Sequence, residues 1–385
     1  METRQNQIKL SVVLPCLNEA TTIKTAISLA QELIALCGMP GEVIVADNGS
    51  DDGSRQLAEA AGARVVPASR RGYGFALLAG IRGAEGEIIV MGDADATYDF
   101  REARPLVEAV DAGADLAMGS RLRGNIEDGA MPRLHRYLGT PVLTWLLRRF
   151  FGLRISDCNC GLRAFSKSAF EHMHLISGGM EFASEMLIKA ALCGMKVVEH
   201  PVSLLKDTRG RPPHLNTWRD GWRHLRFILL FAPHVTFHAP GLVLFILFGM
   251  QTLVLSLGVV TVAGRVFDYH HLFYSVPLFL IGYQLLWFTR FSAVFRRFAG
   301  LGPGGAGGKF ALERWLIGGG LLMAAGVLIF VHVLVSWFAA GQGALLAVRS
   351  CVAGLTLLLG GTTTIMNALM VSMLELRFDH GERRE

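Results

Sequence analysis

The second part of the 385-residue chain holds four long apolar runs, about 241–263, 272–289, 316–338 and 351–374, with no Asp, Glu, Lys or Arg inside any of them. Each is about as long as the hydrocarbon core of a bilayer requires. In lipid a backbone must satisfy its own hydrogen bonds, so such runs are expected as helices. Residues 239–385 are therefore expected as an α-helical membrane domain of four spans with a C-terminal tail. Composition agrees: hydrophobic residues reach 51% and charged residues only 18%, apolar for a soluble enzyme. Residues before Pro240 nonetheless read as globular.

Loop charges set the expected orientation. Arg290, Arg296, Arg297, Lys309 and Arg314 lie between the second and third runs, and Arg383-Arg384 ends the tail. The other two loops hold only Arg265 and Arg349. The positive-inside rule then puts the globular part and both termini in the cytoplasm of a multi-pass plasma- or inner-membrane protein. Met1-Glu2-Thr3-Arg4-Gln5 is polar and has no signal-peptide core. Gln251, Gln284, His332 and Asn367 fall within the runs, where interhelical hydrogen bonds and a lipid path are both open readings. Lys+Arg exceed Asp+Glu by 37 to 32 without a dense basic stripe. That suits nucleotide phosphates and acidic headgroups and gives no reason to expect nucleic acid. The six cysteines are scattered, and Cys158-x-Cys160 has no second pair at zinc spacing, so a reduced, cytosol-facing domain is expected.

Within the globular part, apolar runs alternate with helical patterns. Leu10-Ser-Val-Val-Leu14 reads as a first strand, 20–37 as a helix, Glu42-Val-Ile-Val-Ala46 as a second strand and Ala63-Arg-Val-Val66 as a third. Arg70-Arg-Gly-Tyr-Gly74 opens another helix. Such alternation implies a doubly wound, mostly parallel sheet. The first strand leads into Pro15-Cys-Leu-Asn-Glu19, with no Gly-x-Gly-x-x-Gly, which argues against a dinucleotide dehydrogenase. The next run, Glu87-Ile-Ile-Val-Met-Gly92, ends in Asp93-Ala94-Asp95. On an extended strand, side chains two apart point the same way. Two hard oxygen ligands at a strand's carboxyl end suit Mg²⁺ or Mn²⁺ carrying a substrate phosphate. A solvated turn is the alternative.

Three parts are expected: a catalytic domain over 1–215, a linker helix over 216–238 and the membrane domain. Trp218, Trp222, Leu225 and Leu229 share one helical face, with Arg219, Arg223 and Arg226 beside it. An aromatic and basic stripe ten residues before a span suits a helix lying in the headgroup layer. Packing beneath the domain is the other reading.

These segments resemble the nucleotide-sugar half of family 2 glycosyltransferases: Ser11-Val-Val-Leu-Pro-Cys-Leu-Asn-Glu19, Asp47-Asn-Gly-Ser-Asp-Asp-Gly-Ser54 and Gly92-Asp-Ala-Asp95. Gly119-Ser-Arg121, Asp157-x-x-x-Gly-Leu-Arg163 and Trp218-Arg-Asp-Gly-Trp222 narrow the likeness to polyprenyl-phosphate glycosyltransferases, which include dolichol-phosphate mannose and glucose synthases. The resemblance covers about residues 8–235 and implies an inverting GT-A α/β domain. It implies a donor pocket of Pro15, Asn18, Glu19, Asp47, Gly72, Asp93, Ala94 and Asp95, with Asp47 at the nucleobase and Asp93 and Asp95 on the metal. It implies phosphate-gripping roles for Arg121 and Arg136, and a lipid-phosphate and membrane side of Arg163, Trp218, Arg219, Trp222 and Arg223. Where mannose synthases commonly carry Gln, two residues after the second metal Asp, this chain has Thr97.

The implied reaction moves one sugar from a nucleotide sugar, UDP-glucose-type or GDP-mannose, to a polyprenyl or dolichyl phosphate for cell-envelope glycans. A lipid phosphate has a second pKa near about 6, so it arrives largely dianionic and can react without a general base. Asp157 is the candidate if a base is used; orienting Arg163 is its alternative role. Glu181 and Glu185 are open between a helix-face salt bridge and an acceptor role. The expected partners are the donor, the lipid acceptor and the bilayer, with room for a homo-oligomer through the membrane domain. Two competing readings remain. A processive polysaccharide synthase would need Gln-x-x-Arg-Trp, and Arg314-Trp315 has Ala311 in place of Gln. A non-catalytic scaffold or lipid-flipping partner would have no use for the acidic pair.

Overall fold

The computed structural model describes residues 7–210, 217–298, 310–343 and 347–379. Residues 1–5, Lys309 and Arg383-Arg384, all used in the orientation argument, lie outside the described residues. The chain divides into two compact units, one reaching Phe231 and the other starting at Ala232.

The first unit is built on seven strands: β1 (Leu10–Cys16), β2 (Gly41–Asp47), β3 (Arg64–Pro67), β4 (Ile88–Met91), β5 (Leu116–Ser120), β6 (Arg163–Ser166) and β7 (Val197–Pro201). Their order is β3-β2-β1-β4-β6-β5-β7. β6 runs antiparallel to both β4 and β5, and the other pairings are parallel. That reversal has a consequence for the site. It brings the residues before β6 to the same edge as the carboxyl ends of β1, β2, β4 and β5.

β1 is apolar on both faces because both are covered. Leu10, Val12 and Leu14 join a core with α1 (Ile23–Cys37). Burying Ile23, Ile27 and Leu33 of α1 contributes roughly 2 kcal/mol each. On the opposite face, a Cβ added to Gly80 of α3 (Tyr73–Gly83) would stand 2.5 Å from Val13 Cγ1, so a small residue sets the helix-to-sheet distance. The other helices of this unit are α2 (Ser54–Ala60), α4 (Arg104–Asp111), α5 (Thr140–Phe151), α6 (Lys167–Met173), α7 (Phe182–Leu192) and α8 (Thr217–Phe231).

The second unit holds α9 (Ala239–Leu257), α10 (Leu272–Phe298), α11 (Leu312–Ala339) and α12 (Val348–Asp379), and its four candidate spans are His234–Leu257, Tyr269–Arg297, Leu312–Ala339 and Val348–Glu375. Glycines let the helices approach. A Cβ on Gly282 would lie 2.9 Å from Gly241 O, and one on Gly361 would lie 2.6 Å from Gly319 O. Gln284 and Asn367 exchange amide hydrogen bonds at 3.2 and 2.9 Å, and Tyr283 meets Thr364 at 2.7 Å. The interhelical reading of Gln284 and Asn367 holds. The first span differs from expectation: it ends at Leu257, and Val260–Val262 (β8) pairs with Arg265–Phe267 (β9) in a hairpin. Ala263 and Gly264 turn at φ 49° and 76°. An uncharged β-branched run extends the hydropathy signal without extending the helix.

Candidate active site

Two loops at the carboxyl edge of the sheet are laced together. Asn18 N donates to Ser50 Oγ at 3.0 Å, Asp51 N to Asn18 Oδ1 at 2.9 Å and Glu19 N to Ser54 Oγ at 2.8 Å. The buried Asp47 carboxylate accepts the Gly49 and Ser50 amides, each at 3.2 Å, and faces Arg55 at 3.8 Å. Pro15 precedes this loop on β1, and Asn48 Oδ1 accepts Gly72 N at 2.7 Å. Gly72 is required here: its φ is 146°, and a Cβ would stand 2.2 Å from Gly178 O.

Asp93 and Asp95 follow β4, with the buried Ala94 between them. Tyr73 Oη donates to Asp93 Oδ1 at 3.0 Å. Burial and the Asp95 charge push the Asp93 carboxyl up to about 7, against the Tyr73 bond and the charges of Arg121 and Arg209. Asp95 accepts the Thr97 amide at 3.0 Å and its hydroxyl at 2.6 Å. Arg209 donates to Asp95 Oδ2 at 3.0 Å, Glu19 Oε1 at 2.6 Å and Asp207 Oδ2 at 2.7 Å.

Arg121, just beyond β5, donates Nε to Asp157 Oδ2 at 2.7 Å and Nη2 to Asp157 Oδ1 at 2.8 Å. Asp157 is fully buried and also accepts the Arg121 and Asn159 amides at 3.1 and 3.2 Å. Glu199 on β7 supports the loop by accepting the Ser156 and Asp157 amides at 2.7 and 3.1 Å. An acidic pair and a rigidly held guanidinium thus share one sheet edge.

Residues 11–173 match the family model described as glycosyl transferase family 2, and residues 306–375 match that of the glycosyltransferase family 2 C-terminal transmembrane region. The chain is 42% identical over 286 residues to the low-salt glycan biosynthesis hexosyltransferase Agl6 of Haloferax volcanii, spanning 74% of this chain and 68% of that protein. It belongs to glycosyltransferase family 2. Two further relatives are the dolichyl-phosphate hexose transferase of Haloferax volcanii, 27% identical across 50% of this chain and 81% of that one, and the undecaprenyl-phosphate 4-deoxy-4-formamido-L-arabinose transferase of Edwardsiella ictaluri, 32% identical across 43% and 51%. Among solved structures, glucosyl-3-phosphoglycerate synthase from Mycobacterium tuberculosis is similar with a TM-score of 0.47 and 24% identity, covering 58% of this chain and 80% of that one. The fold class matches the expectation: a GT-A α/β domain followed by a transmembrane region.

Several residues of this glycosyltransferase stand elsewhere than the sequence suggested. Asp157 has both oxygens on Arg121, so it serves as an anchor for that guanidinium, and it does not orient Arg163. Arg163 is fully buried and donates to the carbonyls of Cys160, Ala183 and Cys158 at 3.0, 2.8 and 2.8 Å. It ties the loop before β6 to α7 and offers nothing to a lipid phosphate. Glu185 is buried in an ion pair with Lys189 at 2.8 Å and accepts the Ser177 amide at 2.8 Å. It thereby holds the segment whose Gly178 carbonyl accepts Gly74 N at 3.0 Å.

Arg136 lies on the turn His135–Gly139, over the Tyr137 ring at 5.6 Å. The turn is near Arg121, whose charge, together with burial as the larger cause, lowers the His135 pKa. His135 Nε2 meets Thr217 Oγ1 on α8 at 3.0 Å. On α8, Trp218, Arg219, Trp222 and Arg226 are exposed, while His224 and Ile228 pack inward. Arg223 is half-buried and pairs with Asp220 at 3.7 Å.

Sequence reasoning missed Tyr73, Arg209 and the exposed aromatics of α5 and its preceding turn. Trp145 is 60% exposed and Tyr137 70%. Helical spacing with Val142, next to Arg148-Arg149, was the available signal for α5. Tyr73 sits inside the glycine-flanked motif already noted. Arg209 had no signal, since its site partners Asp95 and Glu19 lie 114 and 190 positions away and only Asp207 is local. Cys158 and Cys160 are buried, with thiols pushed up to about 12 by burial, and serve as packing.

Proposed function

We propose that this glycosyltransferase moves one sugar from a nucleotide sugar, of the UDP-glucose or GDP-mannose type, to a polyprenyl phosphate, yielding a polyprenyl-phosphate monosaccharide. The observation that carries the reading is the placement of Arg121: fixed by Asp157 just beyond β5, it stands at the same sheet edge as Asp93 and Asp95, and its charge opposes the upward push on the Asp93 carboxyl. A cation so placed can align a donor diphosphate with an acceptor phosphate, two groups that repel one another. The relatives whose names specify dolichyl- and undecaprenyl-phosphate transfer support the acceptor class.

Among the described residues no group of three His, Cys, Asp or Glu side chains forms a metal cage. Two carboxylates of hard oxygen fit Mg²⁺ or Mn²⁺ of the kind that leaves most positions to water and substrate phosphates. Asp93 and Asp95 would hold such an ion, which supplies charge stabilisation on the departing diphosphate. Tyr73 keeps Asp93 oriented. Asp47, Asn18, Glu19 and Gly72 form the wall for the nucleoside. Arg121 and Arg136 steady the acceptor phosphate, whose own oxygen is the nucleophile, so no side-chain base is needed.

The exposed Trp145, Tyr137, Trp218 and Trp222 form the aromatic part of a surface that would rest in the headgroup layer, with Arg219 and Arg226 on anionic lipid. In this reading the catalytic unit and both termini are cytoplasmic, where nucleotide sugars are supplied, and the product feeds envelope glycan assembly. Purified full-length protein incubated with a panel of nucleotide sugars and polyprenyl phosphates tests the reading. The lipid product should gain the mass of one sugar. A polysaccharide ladder would instead indicate a processive synthase.

A further inference from the structure

Among the described residues the membrane unit contains three buried donors without acceptors, Trp287 Nε1, Arg290 Nε and Arg349 Nε, and the first two lie on one helix. Trp287 and Arg290 stand three positions apart on α10, on one face of the helix. Trp287 is only 5% exposed, and its ring meets Trp315 at 5.0 Å. Phe310 stacks on Trp315 at 6.4 Å, and the Arg290 guanidinium lies over Phe310 at 5.6 Å. Arg290 reaches one carboxylate, Glu375, through Nη2 at a long 3.9 Å. The site opens at Arg290, whose side chain is 39% exposed.

Depth narrows the choice of ligand. The span ends at Arg297, so Arg290 lies roughly 10 Å inside its end at 1.5 Å per residue. That is near the boundary between headgroups and hydrocarbon. A guanidinium there is costly without an anion, and each orphaned buried donor carries its own desolvation cost. A ligand that relieves both must be anionic, must offer several acceptor lone pairs and must reside at the membrane boundary. An amine headgroup would bring more donors, and a glycerol hydroxyl would bring no charge. A phosphate meets all three requirements. Arg296, Arg297 and Arg314, near the same ends of α10 and α11, add attraction for it.

We propose that Trp287 and Arg290 bind the phosphate of a membrane lipid headgroup, the indole N–H and the guanidinium each donating to a phosphate oxygen. This site belongs to the membrane unit and does not rest on the reaction proposed for the catalytic unit. Native mass spectrometry of the full-length protein tests it, with dioleoylphosphatidylglycerol, dioleoylglycerol and inorganic phosphate as probes. The phospholipid should be retained and dioleoylglycerol should not. Trp287→Phe and Arg290→Gln should each weaken retention about tenfold, the scale of one charge-assisted hydrogen bond. The double change Arg296→Gln with Arg297→Gln should weaken it less than about threefold. Melting temperature in lipid-free detergent checks that both single variants remain folded. Equal retention of dioleoylglycerol, or an equal loss in the Arg296/Arg297 variant, would overturn the site. Inorganic phosphate bound without competition from the phospholipid would overturn its assignment to lipid.

Discussion

Arg121 and Asp157 form a two-pronged ion pair, with the aspartate side chain wholly buried and the arginine side chain 13% exposed. Both oxygens of Asp157 accept from that guanidinium, so in the proposed reaction Asp157 would act on turnover through Arg121. Breaking a buried pair costs about 3–5 kcal/mol. Asp157→Asn and Arg121→Ala should each lower kcat by at least about 100-fold while leaving the donor KM within about threefold. The double variant should be no slower than the slower single one. Multiplicative losses would restore Asp157 as an independent base.

Asp93 and Asp95 carry the proposed metal dependence. Alanine at either position should remove at least about 100-fold of activity, the scale of a main electrostatic stabiliser. A chelator should abolish turnover, and Mg²⁺ or Mn²⁺ should restore it. Full activity of Asp95→Ala in chelator would contradict the assignment.

Arg209 occupies one oxygen of Asp95 and competes there with any cation. Arg209→Gln should therefore tighten Mn²⁺ binding in the absence of donor by about tenfold, a modest part of the attraction between adjacent charges. Electron paramagnetic resonance of free Mn²⁺ measures this directly. Unchanged affinity would mean that the arginine leaves the metal position undisturbed.

His224 supplies a pH test of the α7–α8 contact. Burial lowers its pKa to about 4, and its Nδ1 meets Ser184 Oγ at 2.6 Å. The folded form thus holds the ring neutral, whereas the unfolded chain takes up a proton near about 6.5. The resulting stability is present above pH 6.5 and is lost as pH falls toward 4, about 3 kcal/mol in all. Chemical denaturation of the full-length protein at several pH values should show that slope, and His224→Gln should flatten it.

What could be read in advance followed the range of the interactions. Asp93 and Asp95 belong to a strand and the turn that follows it, so local pattern located them. The helical spans follow from lipid chemistry alone, apart from the end of the first, where Val260–Val262 mimics a continuing span. Arg163 looked like a surface cation because its motif says nothing of the three carbonyls that enclose it. Arg209 was invisible as a site residue, since closure of the chain over more than a hundred positions creates its contacts with Asp95 and Glu19. Trp145 needed the exposure pattern of α5 to separate it from a core residue.

In the proposed reaction the nucleophile arrives with the lipid. The most direct test is a paired assay of the unaltered protein with one nucleotide sugar and two acceptors of equal chain length, polyprenyl phosphate and the unphosphorylated polyprenol. The expected result is a single-sugar phosphate-linked product from the first and none from the second, with slow donor hydrolysis when no acceptor is added. Equal transfer to the free alcohol would require a side-chain base and would mean that the acceptor phosphate is not the nucleophile.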